Sequence, residues 1–172
     1  MKVLAIDPGP AKSAFVLYES ETRAVLHHEI QDNESLLGTT ERYWWRDNGV
    51  RHCVIEMIAS YGMAVGAEVF ETCVWIGAFA ERARRIDMEV ERMFRRDVKL
   101  HLCGQARAKD SNIRAALIDK FGPGKEKAIG TKKAKGPLFG IRADEWAALA
   151  VAVTFVETIV ETRREARREK VA

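Results

Sequence analysis

Cysteine is scarce in this 172-residue chain: Cys53, Cys73 and Cys103 are odd in number and far apart, with no Cys-x-x-Cys pair and no histidine pair nearby. That pattern excludes a disulfide framework and a zinc site, and it leaves three thiols expected to be small buried apolar residues. Long apolar runs are missing too. None approaches the roughly 18 residues that a membrane span requires, so no membrane partner is expected. The chain also does not begin with a charged-then-apolar leader, and a cytoplasmic protein, of a bacterial or phage-infected cell, is the expectation. Charge of one sign is in short supply overall, the net being only +3, so any polyanion-binding surface must come from the distribution of charge rather than its total.

What the chain does contain is 47% hydrophobic and 31% charged residues, the balance of a globular protein with one substantial core. A single domain over residues 1–172 is expected. Its organising stretch is Lys2–Pro10, KVLAIDPGP. Val3, Leu4, Ala5 and Ile6 form a short continuous apolar run, as in a strand buried on both faces, and the run stops at Asp7. Pro8 and Gly9 break the strand, and Lys12–Tyr18 resumes as a paired second strand. A carboxylate on a buried strand tip needs a cationic partner, for which a metal ion is one solution and a turn-capping role the alternative.

Arg23–Ile30 reads as a third strand of a meander, with His27 and His28 as ordinary strand residues. Asn33–Arg46 reads as a helix with Leu36, Leu37, Tyr43 and Trp44 on one face and Asn33 as its N-cap. His52–Met57 is another apolar run ending in an acid, Glu56. If this strand lies parallel to the first, both acids reach one edge of the sheet, where ligand sites of open α/β sheets lie. Ala64–Arg84 shows helical spacing through Val65, Val69, Thr72, Ile76, Phe79 and Ala83, which leaves Phe70 and Trp75 for the core, a dimer interface or base stacking. Met88–Met93 alternates like an edge strand, followed by Arg95, Arg96, Lys99 and the short run Leu100–Cys103. Ala108–Phe121 is helical in spacing, capped by Asp110 or Ser111.

Between Gln105 and Gly136 stand nine basic residues against three acids. Five glycines, two prolines and five lysines between Gly122 and Gly140 predict a mobile basic loop without a core. The basic tail from Arg163 to Lys170 reads as a solvated helix end. The last element, Ala143–Arg163, is a strong helical pattern with Asp144 in its first turn, and its alanines permit close approach to a sheet.

Three segments together, AIDPGP with Asp7, VIEMIASYG with Glu56 and ADEWAALAVAV with Asp144, resemble the RuvC family of Holliday junction resolvases within the ribonuclease H-like superfamily. The resemblance spans essentially the whole chain. It implies an α/β ribonuclease H-like fold, a mixed central sheet of about five strands flanked by helices. It also implies a homodimeric, metal-dependent endonuclease acting on four-way or other branched DNA. Phosphodiester hydrolysis needs an activated water and charge relief at the leaving oxygen, which two Mg²⁺ or Mn²⁺ ions roughly 3.5–4 Å apart supply. On this resemblance Asp7 bridges the ions, and Glu56 and Asp144 hold one each. The family pattern has a second aspartate three residues after the first in the last helix, and here that position is Ala147. Glu145, rotated about 100° around the helix from Asp144, and Asp110 are the two candidates for the missing ligand.

Lys109, Arg114, Lys132, Lys133 and Lys135 are the expected DNA-backbone contacts, and Tyr61 with Met63 the expected wedge at a junction centre. AKDSNIRAALIDKFG and GPLFGIRADEWAALAVA resemble phage or prophage resolvases. Two other readings use the same residues: a structure-selective junction-binding protein without nuclease activity, and a ribonuclease H-like nuclease directed at RNA.

Overall fold

The computed structural model describes residues 1–40, 45, 48–60, 62 and 64–169. Tyr43, Trp44, Arg46, Tyr61 and Met63 lie outside the described residues, as do the side chains of the basic end from Arg163 onward. Five strands, β1 (Lys2–Asp7), β2 (Lys12–Glu19), β3 (Ala24–Asp32), β4 (Val50–Met57) and β5 (Glu89–Phe94), form one mixed sheet in the order β3-β2-β1-β4-β5. The first three are antiparallel neighbours. From β1 outward through β4 to β5 the pairing is parallel. Parallel neighbours need long crossovers, and α1 (Asn33–Thr40) and α2 (Ala67–Arg85) lie in the two connections. Then follow α3 (Arg95–Cys103), α4 (Asp110–Phe121), the single turn α5 (Lys125–Ala128) and the long α6 (Glu145–Glu169).

Alternation along the central strands builds two cores. Leu4 and Ile6 of β1, Phe15 and Leu17 of β2, and Cys53 and Ile55 of β4 pack under Leu36, Trp45, Ile76 and Phe79. Val3, Ala5, Ala14, Val16 and Val54 face the other way, onto Leu117, Ala148, Leu149, Ala152 and Val153. Burial of the β1 run on both faces follows from this sandwiching, and each fully buried aliphatic side chain contributes about 1.5–3 kcal/mol. Ala148, Ala150 and Ala152 of α6 are fully or almost fully buried, which lets the helix lie close on β1 and β2. Asp7 continues the Val3–Ala5 face and Glu56 the Val54 face. Both acids are therefore directed to the α6 side by the same two-residue period that builds the core.

Several sequence expectations are corrected. Asn33 does not cap α1 from solvent: it is buried, accepting a hydrogen bond from the Ser13 hydroxyl at 2.6 Å and donating to the Gly9 carbonyl at 2.9 Å. The N-terminal boundary of α2 lies at Gly66, and Val65 is exposed rather than part of the buried stripe. Trp75 is half-buried against Phe79, whereas Phe70 and Val74 point to solvent at 62% and 65% exposure. Cys73 is exposed, Cys103 is half-buried and only Cys53 is fully buried. At the start of α4 the cap is Lys109, not Asp110 or Ser111, with the Asn112 side chain accepting from the Lys109 amide at 2.9 Å.

The 122–140 segment is a folded loop, not a structureless one. Ala128 and Leu138 are fully buried in the α6-side core, and Gly130 bridges Lys135. Its glycines permit close backbone approach: a Cβ on Gly136 would lie 2.4 Å from the Lys127 carbonyl oxygen. These anchoring apolar residues among five lysines help to fix the path, and they are too sparse to register as a periodic pattern. Among the described residues, no helix is long and apolar enough to cross a membrane.

Candidate active site

The parallel pairing of β1 with β4 places Ile6 opposite Ile55, so the next residue on each strand, Asp7 and Glu56, emerges at the same edge. The turn behind Asp7 is rigidly tied. Ser13 accepts the Gly9 amide at 3.2 Å, Asn33 holds the Gly9 carbonyl, and the Asn33 amide donates to the Ala11 carbonyl at 3.0 Å. Gly9 has no room for a side chain, since a Cβ there would fall 2.3 Å from the Lys12 carbonyl oxygen. This network explains why a polar triplet, Ser13, Asn33 and the turn backbone, is tolerated beside a core.

A third parallel strand end contributes a residue that the sequence reading passed over. β5 pairs with β4 so that Met57 faces Phe94, and α3 begins immediately with Arg95. Its Nη1 lies 2.9 and 3.1 Å from the two Glu56 carboxylate oxygens, and its Nη2 lies 3.0 Å from Asp110 Oδ1. Lys99 Nζ is 3.8 Å from the same Asp110 oxygen. Arg95 thus joins a nearly buried acid to an exposed one. The signal available in the sequence was positional: an arginine following the last residue of a strand parallel to β4 must stand at the edge where Glu56 stands.

Asp7, Pro8, Glu56, Met57, Ala59 and Arg95 line a small cleft of about 170 Å³. Burial, then the neighbouring Glu56 carboxylate, push the Asp7 carboxyl up to about 8; Arg95 opposes this, and Asp144 and a hydrogen bond with Glu56 reinforce it. Burial and the neighbouring carboxylate outweigh the Arg95 guanidinium, so the pair holds a proton at neutral pH. Asp144 is exposed and stands just ahead of α6, its carbonyl accepting the amides of Ala147 and Ala148. It follows Ala143, whose φ of 42° puts a non-glycine residue in the left-handed region.

Glu145 is not at this cleft. It is buried, and its Oε2 accepts a hydrogen bond from the Arg142 amide at 2.8 Å and lies 2.9 Å from Nδ1 of His28 on β3. Glu145 thus turns to His28 of β3 rather than to Asp7, on which Asp144 acts, and it is not a metal ligand of this cleft. His28 is correspondingly more than an ordinary strand residue. Asp110 remains beside the site through Arg95. Of the expected DNA contacts, Lys109, Lys132, Lys133 and Lys135 are exposed, while the Arg114 guanidinium lies 4.7 Å from the Trp146 ring centroid at the start of α6. Lys135 covers Phe139 at 5.1 Å.

The oxygen-only donor set of Asp7 and Glu56, with the Asp7 carboxyl raised by burial and by its neighbour, fits a hard divalent cation. Asp144 is near enough for its charge to be felt at Asp7. Among the described residues, however, no three of His, Cys, Asp and Glu are gathered tightly enough to form a metal cage by themselves. A larger cleft of about 510 Å³, lined by Lys2, Leu17, Leu26, His27, Trp45 and others, lies toward the opposite end of β1 and contains no carboxylate.

The strand order, the mixed pairing and the helices on both faces define a ribonuclease H-like fold of the RuvC kind. The solved Thermus thermophilus RuvC superposes with a TM-score of 0.64 at 19% identity, covering 90% of this chain and 92% of that one. The structure of T. thermophilus RuvC in complex with a Holliday junction substrate gives 0.63 at 17% identity, with 90% and 92% covered. The fowlpox virus Holliday junction resolvase is more distant, with a TM-score of 0.49 at 14% identity over 92% and 99% of the two chains. No protein-family model and no curated protein matches the chain in sequence.

Proposed function

We propose that this protein is a divalent-metal-dependent endonuclease that hydrolyses phosphodiester bonds in branched DNA, four-way junctions above all. The observation that supports it is the juxtaposition of Asp7 and Glu56 at the carboxyl edge of β1 and β4, with the charge of Asp144 acting on the same point. The fold adds weight, since one similar structure is of a RuvC with a Holliday junction substrate. Asp7 and Glu56 would hold one ion, and Asp7 with Asp144 a second. Bound Mg²⁺ or Mn²⁺ supplies charge relief at the phosphate and an acidified water.

The chain's own residues do the rest. Ser13 and Asn33 fix the turn that carries Asp7, and Arg95 orients Glu56. Glu56 would hold the cation, and the planar fork of Arg95 beside it would suit bidentate contact with a phosphate. A four-way junction has two equivalent strands to cut, which a two-fold dimer matches. We assign Phe70 and Val74, adjacent turns of α2 and both exposed, to the contact with a second copy.

The test is junction binding and cutting by the wild type and Asp7→Asn. Binding should persist and cutting should fall on the order of a thousandfold or more; cutting that survives in the variant refutes the assignment. A second reading, a junction-binding protein without nuclease activity, is favoured by Ala147 in place of an acid and by the exposure of Asp144. It predicts binding with no cuts under either metal.

A further inference from the structure

Beside the acid cleft lies a larger, cationic one. Arg95, Arg96 and Lys99 from the first turns of α3, with Ala106 and Arg107 from the chain that returns after Gly104, line a cleft of about 480 Å³. No acid lines it. Its size falls within the roughly 300–1,000 Å³ of ordinary ligand sites. Arg95 is a wall of both this cleft and the acid cleft. Arg96 is in turn shared with a third hollow of about 210 Å³, formed with Ala59, Phe94 and Asp97, and Ala59 also borders the acid cleft. The three make one trough running from the carboxylates onto a cationic floor.

Charge accounting within the trough is uneven. Arg95 and Lys99 have Glu56 and Asp110 as partners. Arg96 and Arg107 are exposed and have no ion pair among the described residues. Four cations converging on one hollow repel one another unless an anion with several charges, or a chain of them, lies among them. Asp110 serves that role for Arg95 and Lys99, but no acid among the described residues does so for Arg96 and Arg107.

We propose that Arg96, Lys99 and Arg107 form a seat for the backbone of the DNA strand being cut, holding successive phosphates adjacent to the one presented at Asp7 and Glu56. The seat rests on the nuclease reading above and adds to it a location: the strand leaves the acid cleft past Arg95 and over the start of α3. Repeated phosphates along one strand answer both the run of adjoining hollows and the all-cationic lining of the 480 Å³ cleft. Lysines 132, 133 and 135 then serve more distant parts of a branched substrate.

The experiment measures four-way junction binding by fluorescence anisotropy in EDTA, so that no cutting occurs, over a range of salt concentration. The proteins are the wild type, Arg96→Ala/Arg107→Ala, Arg96→Lys/Arg107→Lys, and Arg84→Ala/Arg85→Ala at the far end of α2 as a charge-matched control. All four substituted positions are exposed, and circular dichroism checks that each variant is folded. The alanine pair in the cleft should reduce the steepness of log K against log salt by about 2 and weaken binding by about tenfold or more at fixed salt, since each lost phosphate contact removes about 0.9 from the slope. The lysine pair should keep the wild-type slope, as should the control. A wild-type slope in the alanine pair overturns the seat while leaving the nuclease reading intact. Failure of the wild type itself to bind junction DNA overturns both.

Discussion

Cation binding at Asp7 and Glu56 must expel a proton, and the amount can be worked from the site. With the Asp7 carboxyl at about 8, the Asp7–Glu56 pair carries about 0.9 proton at pH 7 and about 0.1 at pH 9. Mg²⁺ or Mn²⁺ binding requires both carboxylates ionised, so that proton is released on binding. Isothermal titration with Mn²⁺ at pH 7 in PIPES and in Tris, whose ionisation enthalpies differ widely, measures the proton count directly. The apparent affinity should rise about tenfold per pH unit up to pH 8 and level off above it.

The same shift acts on stability. A raised carboxyl favours the folded state below its unfolded value of 3.8, and that contribution is lost as pH rises through about 8. Metal-free protein should therefore be less stable at pH 9 than at pH 5, by an amount on the order of several kcal/mol, and Asp7→Asn should flatten the dependence. Buffer-independent enthalpies at pH 7, or an affinity that ignores pH between 6 and 8, would refute the paired-carboxylate account.

Four further outcomes are expected. Ala147→Asp should raise Mn²⁺ affinity by about tenfold or more by adding a ligand charge, read by titration; unchanged affinity would place Ala147 away from the ions. Glu145→Ala should destabilise the fold by about 2–3 kcal/mol, because it strands His28 and the Arg142 amide, yet leave Mn²⁺ affinity as in the wild type; a loss of affinity would return Glu145 to the site. Glu157 on α6 meets His101 of α3 at 2.6 Å and Lys120 of α4 at 3.0 Å, contacts that outweigh its burial and hold its carboxyl below the usual value. Its stabilisation is present above the unfolded value and lost as pH falls through the lower folded one, so Glu157→Gln should blunt the acid limb of a pH–melting curve and leave little change at pH 4 and below. Phe70→Asp should convert a dimer to a monomer in sedimentation, and a dimer persisting in that variant would move the interface elsewhere.

The strand framework was legible because β1 and β4 are buried on both faces, and a run such as Val3–Ile6 or Cys53–Ile55 has few other uses. The acids could be located for the same reason: each ends such a run. Less legible was α3, where RRDVKLHLC buries only Val98 and so shows no apolar face to read. Arg95 was missed with it, since its role depends on β5 lying parallel to β4. The path of 122–140 is anchored by Ala128 and Leu138, with Ile129 packed beside them, residues without periodicity. Asp144 and Glu145 were separable only in structure, where the first acts on Asp7 and the second turns to His28. The backbone strain at Ala143, just ahead of them, has no sequence signature because alanine rarely adopts a positive φ.

The central claim is that the edge carrying Asp7 and Glu56 cuts branched DNA. End-labelled four-way junction, matched linear duplex and RNA–DNA hybrid, each incubated with the wild type under Mg²⁺ and under Mn²⁺, test it most directly. The account predicts paired, symmetric cuts in the junction alone. Cuts in the hybrid with the junction intact, or junction binding without cuts under both metals, would contradict it.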